Sequence, residues 1–362
     1  MNGFKNIKIK NFRGIENLEI SDLGRVNILV GQNNSGKSTV LEAIFLLTGM
    51  TFIDTVLNIN RVRTRNNYSH LNDIPYMFHK MDTNKIPEFF SEEYEGDTRT
   101  IRLNMATNDE EQNKEHNTNN LNGVPPVSDA HTRPNTLEMH IEVNTKNNKK
   151  NYQNNTFYRQ DGVQISKCNA TDYTEKYASV FLTSNLWNTH LNIDLTELFK
   201  RKQKSIVLER LKHFDPQITD IDILQDDVYI DYENMIEKLP LRMAGDGMRR
   251  YLNIVAASAN PTNNIILIDE IDNGLHYSTY KKLWEAIFAL ATNSDKQIFI
   301  TTHNAETLKQ LAEMLSEHPE YQQEMHLYTI AKTLKKQHQA YLYTYETLSF
   351  ACENDIEIRG LV

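Results

Sequence analysis

The sequence predicts an α/β fold: a mixed, mostly parallel sheet interrupted by an inserted β-rich and helical region. Three observations predict it. An apolar strand pattern, Val26 to Val30, runs straight into Gly31-Gln32-Asn33-Asn34-Ser35-Gly36-Lys37-Ser38-Thr39, and a helical pattern follows from Ser38 to Leu47. Two more continuous apolar runs, Ile265 to Asp269 and Gln297 to Thr301, are each followed by a helical pattern. Continuous apolar runs suit strands buried on both faces, as in parallel sheets covered by helices.

Taken in order, Phe4 to Phe12 and Ile15 to Ile20 read as strands joined at an Arg13-Gly14 turn. Asp54 to Asn67 reads as a helix after the one at Ser38 to Leu47. The pattern is then irregular to about residue 175. Within it Thr100 to Ala106, Leu137 to Thr145 and Tyr152 to Arg159 read as strands, and Lys146 to Asn151 as a solvated hairpin tip, with a DNA contact the alternative. Thr107 to Pro134 is almost wholly polar and has too little apolar surface to offset ordering, so it is expected to be a mobile loop. Ser179 to Thr183 reads as a short buried strand, Leu195 to His213 as one or two helices and Ile221 to Tyr232 as strands. Helices are expected at Gly247 to Ala259, Tyr277 to Ala291 and Ala305 to Leu315, with late strands at Met325 to Ala331 and Gln339 to Tyr345. The expected division is a core of residues 1–50 and 176–362, with 51–175 inserted.

With 362 residues, 39% of them hydrophobic and 24% charged, the chain is long enough for two or three structural units and ordinary for a globular protein. No apolar run approaches the ~20 residues needed to span a membrane. Cys168 and Cys352 lack metal-ligand spacing and fit a reducing, cytoplasmic setting. A net charge of −9 argues against indiscriminate nucleic-acid binding but leaves room for a local basic groove.

Strand, G-x-x-x-x-G-K-S-T and helix together are the phosphate-binding loop of a nucleotide triphosphatase. Gly31 and Gly36 let successive backbone N–H groups converge on an anion. Lys37 supplies a charge for the β- and γ-phosphates, and the Ser38 hydroxyl suits a Mg²⁺ shell. Ile265 to Ile268 then ends in Asp269-Glu270. A carboxylate at a strand's C-terminal end lies where ligands bind in open α/β sheets. Asp269 is thus a candidate for holding Mg²⁺, and Glu270 for polarising the attacking water. Thr301-Thr302-His303-Asn304 closes the next strand, and His303 is a candidate donor to the γ-phosphate oxygens. A lone strand-end histidine is more often structural; the company of the other two motifs favours the catalytic reading.

Phosphate loop, Asp-Glu with Asp272-Asn273-Gly274-Leu275-His276, and then Thr-His-Asn resemble the arrangement of ABC-class ATPases. The opening Asn11-Phe12-Arg13-Gly14 is similar to the start of the RecF, SMC and OLD branch. The Asp269 to His276 stretch resembles the OLD-like AAA-type ATPases of bacterial phage-defence systems, for example the ATPase subunit of PARIS-type systems. The resemblance implies ATP and Mg²⁺ as cofactors and a dimer-dependent mechanism, in which a signature segment of one subunit closes over the γ-phosphate bound to the other. Leu241 to Arg250 matches that segment, with Gly245, Asp246 and Gly247 at its centre. The family's serine is absent, Ala244 or Gly245 standing in its place, which leaves backbone N–H groups or Arg249 and Arg250 for the contact. Ordinary surface ion pairs are the alternative for those arginines. The resemblance also puts Arg13 near the nucleotide, and Asn273 and His276 in a loop crossing the dimer interface. The glutamine that usually joins Mg²⁺ to the inserted region has no match.

Two functions compete. The first is an ATP-driven switch that closes as a homodimer or larger homo-oligomer and controls a separately encoded effector, a nuclease or toxin, in antiphage defence. The 59 residues after His303 are too few for a Toprim nuclease. The second is a RecF-like DNA-binding ATPase, with Arg61, Arg63 and Arg65, or Arg201, Lys202 and Lys204, tracking phosphates. A transporter subunit is disfavoured by the opening motif and the Asn-rich insertion.

Overall fold

The computed structural model describes residues 2–49, 55–56, 59–60, 71–106, 136–146, 148–158, 164–168, 173–183, 191–333 and 337–360. The central sheet takes its strands from distant parts of the chain. They are β3 (Val26–Val30), β9 (Ser179–Leu182), β13 (Ile265–Ile268), β14 (Gln297–Thr302), β15 (Met325–Lys332) and β16 (His338–Tyr343), in the spatial order β16-β15-β3-β14-β13-β9. All neighbours run parallel except β15 and β16.

Period-2 alternation divides the side chains of these strands between two cores. Val26, Ile28, Val30, Ile266, Ile268, Ile298 and Ile300 face one way. They pack with α2 (Leu191–Lys200), α3 (Lys204–Phe214), α4 (Asp246–Ala259), α5 (Tyr280–Thr292) and α6 (Ala305–Glu317). Leu29, Ile265, Leu267 and Phe299 face the other way and meet α1 (Lys37–Thr48). Burial on both faces explains the unbroken apolar runs in the sequence. Asn27 is one polar exception: fully buried in β3, it accepts from Gly24 N at 2.8 Å and donates to Gly24 O at 2.8 Å, closing the turn that enters the strand.

A second, antiparallel sheet covers α1. It comprises β1 (Phe4–Phe12), β2 (Ile15–Ile20), β4 (Glu88–Glu93), β5 (Thr98–Ala106), β6 (Thr136–Thr145), β7 (Asn148–Tyr158) and β8 (Gln164–Cys168), ordered β2-β1-β4-β5-β6-β7-β8. The β1–β4 pairing carries this sheet across the boundary expected near residue 50. A three-stranded sheet of β10 (Ile218–Leu224), β11 (Asp227–Tyr232) and β12 (Leu239–Pro240) leads into the signature segment.

Several expectations need correction. Asn148 to Asn151 are not a hairpin tip but paired strand, with Asn144 opposite Lys149 and Val143 opposite Lys150, because a hairpin needs only about two loop residues. The strand expected to reach Tyr345 stops at Tyr343, and α7 (Tyr345–Glu353) follows, burying Leu348 and Ala351. The β4 strand was not anticipated: its inward set, Phe89, Ser91 and Glu93, includes two polar residues and weakens the alternation. Leu195 to His213 resolves into two helices. The polar stretch 107–134, Arg61, Arg63 and Arg65 lie outside the described residues, as does most of 54–67.

Candidate active site

The site lies at the C-terminal ends of β3, β13 and β14, around a cavity of about 590 Å³, a size suited to a small ligand. Residues Asn33 to Thr39 line it from one side, and Asp269, Glu270, Thr301, Thr302 and His303 from the other. Gly31 and Gln32 act from below: the Lys37 ammonium donates to their carbonyls at 2.8 and 2.9 Å. Burial pushes the Lys37 pKa down, opposed by the charges of Asp269, Glu270 and Asp272.

Gly31 has φ 155°, and a Cβ there would come within 2.5 Å of Ile330 O and 2.6 Å of Ser35 Oγ. The Ile330 carbonyl belongs to β15, which is held in the sheet against β3 and cannot retreat. Gly31→Ala is therefore expected to lower stability by about 1–3 kcal/mol in urea denaturation, the usual cost of overpacking. An unchanged midpoint would contradict this close approach.

Asp269 and Ser38 come together as the sequence predicts. Ser38 Oγ donates to Asp269 Oδ1 at 2.9 Å, and Thr301 Oγ1 donates to the same oxygen at 2.5 Å. The Thr301 hydroxyl also accepts from Glu270 N at 2.8 Å. It thereby ties the end of β13 to β14 and fixes Glu270, whose φ is 52°. The Glu270 carboxylate reaches Asn273 Nδ2 at 3.4 Å. Hydroxyl and carboxylate oxygens are the hard donors that Mg²⁺ prefers, so Ser38 and Asp269 fit that ion. Among the described residues no group of three His, Cys, Asp or Glu is placed to hold a metal, so phosphate and water would complete such a shell.

Arg13 is tied to a residue of the cavity wall. Its Nε lies 2.8 Å from Glu42 Oε2, and its Nη2 donates to Asn60 Oδ1 at 2.9 Å. Glu42, on α1, itself lines the cavity floor, which the sequence did not suggest. Phe181 and Thr183, at the end of β9, were also missed; only their short apolar strand was legible.

Arg250 settles differently from either expectation. It is buried in the first turns of α4, where it donates from Nε to Ile271 O at 3.1 Å and from Nη2 to Asp269 O at 3.0 Å and to Glu270 O. Burial lowers its pKa to about 9, against the opposing charges of Asp272, Glu270 and Asp269, so it stays charged at neutral pH. Arg249 does form a surface ion pair, with Asp246. Gly245 and Asp246 are exposed, and none of the residues 245–247 lines the cavity of its own chain. Gly247 and Asp246 pack against Gly274 of the Asp272 to His276 loop. His276 accepts from Ser278 N and starts a short 3₁₀ turn. Of the basic cluster offered for DNA, Arg201 pairs with Glu197 and Lys204 with Asp220 and Asp222.

The chain is similar to several known proteins. A Helicobacter pylori protein named ATP/GTP phosphatase is 24% identical over 345 residues, covering 86% of this chain and 88% of its own length. The DNA replication and repair protein RecF of Bacillus mycoides is 44% identical over 41 residues, 11% of either chain. The SMC head domain from Thermotoga maritima is similar with a TM-score of 0.43 at 12% identity, covering 94% of this chain and 98% of that one. No helix among the described residues is long and apolar enough to cross a membrane. The model of the AAA ATPase domain matches residues 4–307, which include all three strands of the site; the chain belongs to that family and is a P-loop ATPase that hydrolyses ATP.

Proposed function

We propose that this ATPase is a conformational switch of the OLD-like kind, closing as a dimer when ATP binds and opening on hydrolysis, and that its closure controls a separately encoded nuclease or toxin in antiphage defence. The observation that carries the reading is the start of α4. Gly245 caps this 14-residue helix with no side-chain hydrogen bond, at an exposed position away from its own cavity. A helix N-terminus with free N–H groups attracts anions. Its natural ligand is then the γ-phosphate bound to a second copy, with backbone N–H groups replacing the missing serine.

Within one subunit the residues divide the work. Residues 31–39 cradle the phosphates, with Lys37 leaving its two carbonyls for phosphate oxygens. Ser38 and Asp269 would hold Mg²⁺, which when bound neutralises charge on the β- and γ-phosphates. Glu270 takes the proton of the attacking water, and His303 donates to the γ-phosphate oxygens as charge shifts. Arg250 links the two halves, since it lies on the signature helix and grips the backbone of Glu270.

The test is mass determination in solution, with and without ATP and Mg²⁺, on the wild type and Glu270→Gln. ATP is expected to trap Glu270→Gln as a dimer or larger assembly. A mass indifferent to nucleotide in both proteins rejects the switch. Degradation of DNA or RNA by the purified protein, independent of Glu270, rejects the separate effector. RecF-like DNA binding keeps one observation in its favour, the 41-residue similarity to RecF. An absence of DNA affinity at low salt, with and without ATP, removes that reading.

A further inference from the structure

We propose that Arg359 is a positioning residue for hydrolysis, fixing the backbone of His303 and so aiming its imidazole into the phosphate cavity. This inference rests on the role given above to His303. Arg359 Nη1 donates to His303 O at 2.8 Å, although the two residues are 56 positions apart. The guanidinium is itself held: Glu357 Oε1 accepts from Arg359 N and from Arg359 Nε, both at 2.7 Å, and Glu357 Oε2 pairs with Nη2. One carboxylate thus accepts the fork and the backbone N–H together, leaving Nη1 pre-aimed at the carbonyl.

The segment carrying Arg359 is anchored independently of it. Ile358 is buried, and its carbonyl accepts from the Thr329 hydroxyl of β15. Gly360 abuts the phosphate-binding loop, where a Cβ would lie 2.7 Å from Gln32 Nε2. The strap therefore touches both walls of the site: the phosphate-binding loop through Gly360 and the His303 loop through Arg359.

On its other side the His303 loop is already tied. Thr302 Oγ1 donates to Asp272 Oδ1 at 2.7 Å, and Asn304 caps α6 by accepting from Glu306 N at 2.9 Å. His303, exposed between these two anchors, has a carbonyl whose direction is set by Arg359. Releasing that carbonyl lets the peptide plane tilt, and a misplacement of about 1 Å at a reacting group costs up to about 10²-fold in rate. Ground-state nucleotide binding rests on residues 31–39 and is spared.

The experiment measures steady-state ATP turnover of Arg359→Ala, Arg359→Lys and Glu357→Gln, with Arg359→Ala also made in a His303→Ala background. His303→Ala is expected to lower kcat about 10²-fold, as for loss of a transition-state donor. Arg359→Ala should lower kcat by about 10-fold or more, with KM within about twofold of wild type and an unchanged melting temperature. Arg359→Lys should recover part of the loss, since a lysine still donates to one carbonyl, and Glu357→Gln should give a smaller loss of the same kind. In the His303→Ala background Arg359→Ala should add nothing further, the signature of action through one residue. An equal loss in both backgrounds, or a loss confined to KM or melting temperature, overturns the inference. If His303→Ala lowers kcat and Arg359→Ala does not, the Arg359 inference alone fails. If His303→Ala leaves kcat unchanged, the γ-phosphate role of His303 fails first.

Discussion

Glu270→Gln is expected to lower ATP turnover by about 10²–10⁴-fold, the usual contribution of a general base, while ATP affinity stays within about twofold of wild type. The substitution keeps the shape of the side chain and the backbone bond from Glu270 N to the Thr301 hydroxyl. It leaves Ser38, Asp269 and Lys37 in place, so phosphate binding has no reason to weaken. What disappears is the carboxylate proposed to accept the proton. Stopped turnover with retained binding is also what makes this variant the one to trap a closed assembly. Single-turnover hydrolysis together with equilibrium nucleotide binding checks both halves. Undiminished turnover would move the base to another residue of the cavity.

The second large effect is expected at Arg250. Arg250→Met keeps an apolar stem of similar length but withdraws the guanidinium from the carbonyls of Asp269, Glu270 and Ile271. The Glu270 carbonyl keeps the Asn273 N–H at 3.0 Å, and each of the other two left without a donor costs about 1–3 kcal/mol, so a loss of about 2 kcal/mol or more is expected, seen as a lower midpoint in urea. Turnover should fall as well, at temperatures far below melting. Glu270 occupies a left-handed backbone region at φ 52°, a conformation that persists only while its surroundings hold it. Full turnover in a destabilised Arg250→Met would show that Thr301 alone suffices to hold Glu270.

Much of the site could be read in the sequence because its chemistry is local. Gly31 to Thr39 is one continuous segment, and its proposed role follows from residue types at fixed spacing. The same holds for Asp269-Glu270 and for Thr301 to Asn304, each at the end of an apolar strand. That these three segments meet followed from the rule that ligands gather at the C-terminal ends of parallel strands. The fold class was legible for a related reason: strands buried on both faces are mostly apolar, and β3, β13 and the middle of β14 are.

The remainder depended on partners far apart in the chain. Arg250 looked like one more surface arginine beside Arg249, and only the packing of α4 against the end of β13 buries one and leaves the other half-exposed. Arg13 reads as a turn residue, and only folding pairs its guanidinium with Glu42, one helical turn into α1. The β1–β4 pairing joins the opening hairpin to the inserted strands, although no pattern in either segment names the other. Sequence alone therefore determined the α/β class, the phosphate-binding loop and the catalytic candidates, because backbone periodicity and motif spacing act over a few residues. Tertiary structure alone decided which charged side chains are buried and what they hold, because burial and long-range hydrogen bonding are properties of chain segments brought together only by folding.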